Sequence, residues 1–392
     1  MEKGNVLVIG NSGVGKSTLI NAVLGDERAK TGWGAGNGTT DKLTIYENDK
    51  VPFRLVDTVG FEPSLIREHK AIGAVKQWSK ESAKQGQEEK QINVIWFCID
   101  GTSSKLFPQT IKALSKATSI WNTVPVIVVI TKSYSVPDRE INIQMVHNAF
   151  ANQKRYTSNL REVIPVVAST YVLNDTAYAP PEGISDLIET TNALMPEGIK
   201  AGENDISTYV LSRKRALAQG VVAVATSSGV IVGAVPIPIA DAFVLSPIEL
   251  AEVNSIAKIY DIENTEESKR FINSIVEVGT VSATAKAVIS ALKAIPGINL
   301  GAGIVNAIIA GSIIVALGEG SIYAFEQVYL GKKSVTDIDW VKKVMESKFS
   351  SQFQETVKTI ADKMAENMDK QKIKEIIVET FSNQINEKKN SL

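Results

Sequence analysis

Eight residues near the start of the chain, Gly10-Asn11-Ser12-Gly13-Val14-Gly15-Lys16-Ser17, restrict its fold more than any other feature. They fit the pattern G-x-x-x-x-G-K-[ST], which joins a strand to a helix through a glycine-rich loop. The flanks agree: the apolar run 6–9 reads as a strand, and 17–24 has helical period. The chemistry asks for these residue types. Glycines let main-chain N–H groups of Asn11, Ser12, Gly13, Val14, Gly15, Lys16, Ser17 and Thr18 turn inward around phosphate oxygens. Lys16 adds a point charge for the β- and γ-phosphates, and the Ser17 hydroxyl is a Mg²⁺ ligand. The helix that follows aims the positive end of its dipole at the same place.

Residues 1 to about 195 alternate strand-like and helix-like segments, which predicts an α/β domain of three layers. Runs 6–9, 43–46, 53–56, 93–99, 124–130 and 163–168 read as strands; 65–84, 107–118 and 138–153 read as helices. Only a short polar turn around Asn48-Asp49-Lys50 separates the second and third runs, so a hairpin is expected inside a mostly parallel sheet. Asp57-Thr58-Val59-Gly60 ends that hairpin. Asp57 is placed to hold Mg²⁺ through its water shell, and the Gly60 N–H to sense the γ-phosphate. Thr39 and Thr40 follow a glycine-dense stretch (Gly32, Gly34, Gly36, Gly38), where a threonine can close over Mg²⁺ and release it after hydrolysis.

The order of loop, threonine segment, hairpin and D-x-x-G resembles the Ras-like, translation-factor-related GTPases over about residues 4–170. The resemblance implies GTP as substrate with Mg²⁺. It implies Lys16, Thr40 and Gly60 as catalytic groups, with Ser17, Thr40 and Asp57 around the metal. The family's base-reading motif, [NT]-K-x-D, falls on Thr131-Lys132-Ser133-Tyr134. Thr131 and Lys132 fit; Tyr134 replaces the aspartate that reads guanine, which keeps an ATP-using alternative open. Asp138 stands further along the same loop. The family's final loop falls on Ala168-Ser169-Thr170, giving Ser169 a base contact. Phe61 occupies the place often held by a water-orienting glutamine. Slow intrinsic hydrolysis is therefore expected, stimulated by a partner or by self-association through this domain, with Arg67 and Lys70 available to act in trans.

Beyond a Pro- and Gly-containing stretch at about 179–205 the composition changes. Residues 216–240 and 294–318 carry no charge and are rich in Gly, Ala, Val and Ile. Each run is long enough to cross a bilayer of roughly 30 Å, yet Pro236, Pro238 and Pro296 interrupt them, and such segments equally form the core of a helical bundle. Ser246-Pro247-Ile248-Glu249 is a helix start with a capping box. From Thr336 an apolar stripe (Val341, Met345, Phe349, Phe353, Val357, Ile360, Met364) predicts an amphipathic helix, with another from about Lys370. The expected domains are 1–195, an all-α apolar domain at 206–334, and C-terminal helices at 335–392 packed on it.

The segment from Gly233 to Asp241 and the helix start at Ser246 resemble the hydrophobic tail domain of certain bacterial GTPases, whose role is unassigned. The overall plan is similar to immunity-related GTPases and bacterial dynamin-like proteins. That resemblance implies a helical domain acting at a membrane or on a protein partner.

Lysine and arginine (42) nearly balance aspartate and glutamate (43), so no broad electrostatic footprint for nucleic acid is expected, and no nucleic-acid partner. Cys98 is the one cysteine and sits in an apolar run, which reads as core and fits a reducing compartment. No leader precedes the first strand-like run, so a cytoplasmic protein is expected, with membrane association left open.

Overall fold

A computed structural model describes residues 3–25, 43–47, 51–58, 91–153 (without 119, 120 and 122), 159–197 (without 175 and 176), 199–233, 246–281, 302–363 and part of 372–384. The chain divides into two compact units, one of residues 1–169 and 181–213, the other of 170–180 and 214–392.

In the first unit the strands β1 (Gly4–Gly10), β2 (Leu43–Tyr46), β3 (Phe53–Thr58), β4 (Ile92–Asp100), β5 (Val126–Thr131) and β6 (Leu160–Pro165) form one sheet in the order β2-β3-β1-β4-β5-β6. Only β2 is antiparallel, paired to β3 with Leu43 opposite Thr58. Every residue of β1 and of β5 is buried, as strands covered on both faces must be.

Alternation along β4 separates the layers. Ile95, Phe97 and Ile99 join a core with Phe107, Ile111 and Leu114 of α2 (Phe107–Ala117) and with Val146 and Phe150 of α3 (Val136–Ala151). Trp96 points the other way: it meets Phe53 edge-on, and its indole N–H donates to Thr191 Oγ1 at 3.0 Å on α4 (Ile184–Ala193). The helix after the glycine loop, α1 (Lys16–Leu24), ends at Gly25 in a left-handed conformation. Its terminal carbonyls are held by the first part of α5 (Glu203–Gly233): Arg213 Nε donates to Ala22 O at 3.0 Å and the Tyr209 hydroxyl donates to Val23 O.

The last strand lies earlier than the apolar run 163–168 suggests. Beyond Pro165 the Val166 N–H still donates to Ile130 O at 2.7 Å, but Val167 turns away and exchanges two 3.0 Å hydrogen bonds with Glu182.

The second unit contains the hairpin β7 (Tyr171–Asn174) and β8 (Ala177–Ala179). It also holds the rest of α5 and the helices α6 (Ser246–Ile259), α7 (Glu266–Val281), α8 (Ala302–Tyr329) and α9 (Ile338–Asp362). Within α8, residues 307–329 form the one described helix long and apolar enough to cross a membrane, and most of them are buried inside the unit. Phe271 packs on Phe325 and Tyr260 on Tyr329. Lys214, 1% exposed, donates to Ile259 O at 2.8 Å and Asp261 Oδ2 at 2.7 Å, so the C-terminus of α6 carries a buried cation. Val341, Met345 and Ile360 of the expected stripe are buried on α9. The predicted helix at 65–84, Met364, and the proline-containing stretches around 236 and 296 lie outside the described residues.

Candidate functional site

Strand register sets the C-terminal ends of four neighbouring strands side by side. Val8 pairs with Asp57, Gly10 with Cys98, and Asp100 with Thr131. The glycine loop, Asp57, Asp100 and the segment from Thr131 therefore share one edge of the sheet, where ligands of open α/β sheets bind.

The loop has the backbone its sequence asks for. Gly13 and Gly15 have φ of 79° and 97°, a region L side chains avoid. Gly10 is required for space instead: a Cβ there would lie 2.3 Å from the Cys98 carbonyl oxygen. Lys16 opens α1, is 8% exposed, and donates from Nζ to Gly10 O at 2.9 Å and Asn11 O at 3.2 Å. Its ammonium is thus drawn across the loop. Gly15, at the N-cap, supplies no side-chain acceptor, so the first amides of α1 face outward as a donor set for an anion. Ser17 and Thr18 are exposed in that first turn.

Asp57 is 5% exposed and its Oδ1 has no hydrogen-bond partner. Burial pushes its carboxyl up to about 6, against the pull of nearby Lys16. An orphaned, buried oxygen beside the first turn of α1 fits a Mg²⁺ shell, since a cation there supplies the missing compensation. Burial also pushes the Cys98 thiol up to about 12, which makes it an inert core group.

Thr131 and Lys132 tie the opposite end of the site to the loop. The Thr131 hydroxyl faces Val14 O at 2.5 Å and Ile99 O at 2.9 Å. Lys132 has φ of 53°, uncommon for a non-glycine residue, and this turn carries Nζ to Gly13 O at 2.8 Å and Asp100 Oδ2 at 2.6 Å. Asp100 also accepts from the Thr102 N–H and hydroxyl. Burial alone would raise its carboxyl; the bonds from Lys132 and Thr102 outweigh that and hold it below the usual carboxylate range. Tyr134 is half-buried two residues on, Asp138 is exposed in the first turn of α3, and Ser169 is exposed in the bend after β6.

The structure thus gathers Asn11 to Thr18, Asp57, Thr131 and Lys132. Thr39, Thr40, Gly60, Phe61, Arg67 and Lys70 lie outside the described residues. Asp100 is the addition sequence reading missed; its signal was the Asp-Gly pair that closes β4.

Residues 5–132 match the family model described as 50S ribosome-binding GTPase, and residues 201–350 match a domain of unknown function, DUF697. The chain is 37% identical over 95 residues to GTPase Der of Xylella fastidiosa (strain M23), covering 24% of this chain and 19% of that one. It is 26% identical over 213 residues to GTPase Era of Geobacter sp. (strain M21), covering 54% of this chain and 61% of that one. The chain therefore spans about a fifth of the Der relative's length and less than two thirds of the Era relative's.

Among solved structures, a probable GTP-binding protein engB has a TM-score of 0.31 at 19% identity, covering 42% of this chain and 89% of that one. Era in complex with MgGDPNP and nucleotides 1506–1542 of 16S ribosomal RNA has 0.29 at 22%, covering 55% and 68%. With the glycine loop, Asp57 and Thr131-Lys132 on one sheet edge and the family match across them, the N-terminal domain is a P-loop GTPase domain of the Der and Era type, followed by a helix-rich region.

Proposed function

We propose that the chain is a GTP-binding and GTP-hydrolysing switch or assembly protein whose nucleotide state moves its helical domain at a membrane or on a protein partner. The single observation that carries the reading is the buried Lys16 ammonium spanning a loop of left-handed glycines beside the orphaned Asp57 carboxylate. When a nucleotide enters, Lys16 exchanges loop carbonyls for β- and γ-phosphate oxygens. The amides of residues 11–18 hold the remaining phosphate charge. Ser17, Asp57 and Thr40 would hold Mg²⁺, which would supply charge neutralisation at the phosphates. Gly60 follows the γ-phosphate, Thr131 and Lys132 support the base, and Ser169 closes its far side. Thr40 and Gly60 release on hydrolysis, and the lost contacts drive the change.

Phe61 carries no proton-transfer group, which favours slow turnover unless a second copy or partner completes the site through the GTPase domain. That is the behaviour implied by the resemblance to those Ras-like, translation-factor-related GTPases that carry an apolar residue at this place. Tyr134 favours a second reading, in which ATP serves as well as GTP.

Turnover of GTP and ATP by the purified chain, with Mg²⁺, across protein concentrations and with and without liposomes, tests this. Expected is GTP hydrolysis that rises faster than linearly with protein and is abolished by Lys16→Ala. Activity surviving that substitution defeats the assignment, and equal use of ATP selects the second reading.

A further inference from the structure

Glu249 and Glu252 stand one turn apart on α6 and are 1% and 0% exposed. Neither oxygen of Glu252 has a hydrogen-bond partner, and neither does Oε2 of Glu249. Glu319 of α8 adds a third carboxylate acting on Glu252.

The surroundings are tight, and among the described residues no cation is paired with Glu249 or Glu252. A Cβ on Gly318 of α8 would lie 2.4 Å from Glu252 Oε1 and 2.5 Å from Val222 of α5. Gln219 and Thr226, three before and four after Val222 on the same helix face, are buried and each has an oxygen without a partner. From β8, Tyr178 is 9% exposed, its hydroxyl is also without a partner, and it interacts electrostatically with Glu252. On α7, which packs on α6, Glu266, Glu267, Lys269, Arg270 and Glu277 are exposed. The cations of α5 are committed elsewhere, Lys214 to Ile259 O and Asp261, Arg215 to Glu326.

An ionised carboxylate in such a place loses its hydration without a counter-charge, whereas the neutral acid keeps its proton and can donate to a neighbouring oxygen. Among the described residues no three His, Cys, Asp or Glu side chains are arranged to hold a metal ion, so the proton is the fitting occupant. We infer that Glu249 and Glu252 form a proton-binding site in the helical domain, loaded while α6 is packed against α8 and emptied when that packing opens. The site makes the domain's packing sensitive to pH. Burial holds Glu249 at about 7, and burial with the neighbouring Glu249 and Glu319 holds Glu252 well above its ordinary range. Both folded values exceed the unfolded ones, so the folded state binds more protons and stability falls as pH rises from the ordinary glutamate range through neutrality and beyond.

Two measurements on the full chain test this. In weakly buffered urea near neutral pH, unfolding of the wild type is expected to release about one to two protons more than unfolding of the Glu249→Gln/Glu252→Gln variant. Asp57 contributes equally to both and cancels. Equal release overturns the inference. So does failure of the variant to fold, because glutamine reproduces the shape and neutrality of the protonated acid. Infrared spectra of the wild type supply the second measurement. A protonated-carboxyl band that persists at neutral pH, above the range in which Asp57 loses its proton, and fades at higher pH is expected, and its absence at neutral pH overturns the inference without any variant.

Discussion

Lys132 Nζ lies 2.6 Å from Asp100 Oδ2, joining the start of the loop after β5 to the end of β4. The same ammonium reaches Gly13 O, so Asp100 helps fix the cation that steadies the phosphate loop. Asp100→Asn keeps the shape and removes the charge. The expected result is nucleotide binding weakened by about fivefold, the scale of a half-exposed charge-assisted bond. Fluorescent-nucleotide titration of both proteins measures it.

Asp57 trades stability against function. Its carboxyl sits at about 6 when folded, above its ordinary 3.8, so the folded state binds the extra proton and stability falls as pH rises between those values. Above that window the buried charge costs about 3 kcal/mol. Asp57→Asn should therefore raise the melting temperature of the Mg²⁺-free protein at neutral pH while removing Mg²⁺-dependent nucleotide affinity. Thermal unfolding with and without Mg²⁺ reads both, and a destabilised variant contradicts burial as the cause of the raised value.

Two glycines separate space from conformation. Gly10→Ala drives a Cβ into the Cys98 carbonyl, between adjacent strands that cannot part, and is expected to cost about 3 kcal/mol of stability. Gly13→Ala meets nothing within 4 Å and suffers only its left-handed φ, about 1 kcal/mol. Urea unfolding of the two variants should rank them in that order, with the Gly13 variant losing more nucleotide affinity than stability.

On the proposed reading, Tyr134 stands where the resembled GTPases carry the aspartate that reads guanine. Tyr134→Asp is expected to raise the preference for GTP over ATP by about tenfold or more, the scale of a bidentate base contact. Competition binding with the two nucleotides decides it. An unchanged ratio would mean that this residue does not face the base.

The phosphate loop was legible in sequence because its chemistry is local: glycine conformations and a lysine six residues after Gly10 need no tertiary information. The hairpin β2–β3 was legible for the same reason. The final strand was misplaced because the apolar run continues past Pro165, whereas in the structure Val167 leaves β5 and pairs with Glu182. The hairpin β7–β8 escaped because strands of four and three residues carry no period to detect. Asp100 escaped because its partner lies 32 residues away, and only the β4–β5 register brings them together. Glu249 read as the acidic half of a helix cap; its burial is set by the packing of α6 in the second unit, which spacing along one helix does not encode.

The 2.5 Å approach of Thr131 Oγ1 to Val14 O has an evolutionary consequence. The side chain that opens the segment after β5 is fastened to the main chain of the glycine loop, so on the proposed reading the two ends of the nucleotide pocket do not drift independently. A lineage exploring a new base preference through this segment alters its hold on the triphosphate in the same step. Substitutions at Tyr134, one turn removed from that fastening, offer the less entangled route.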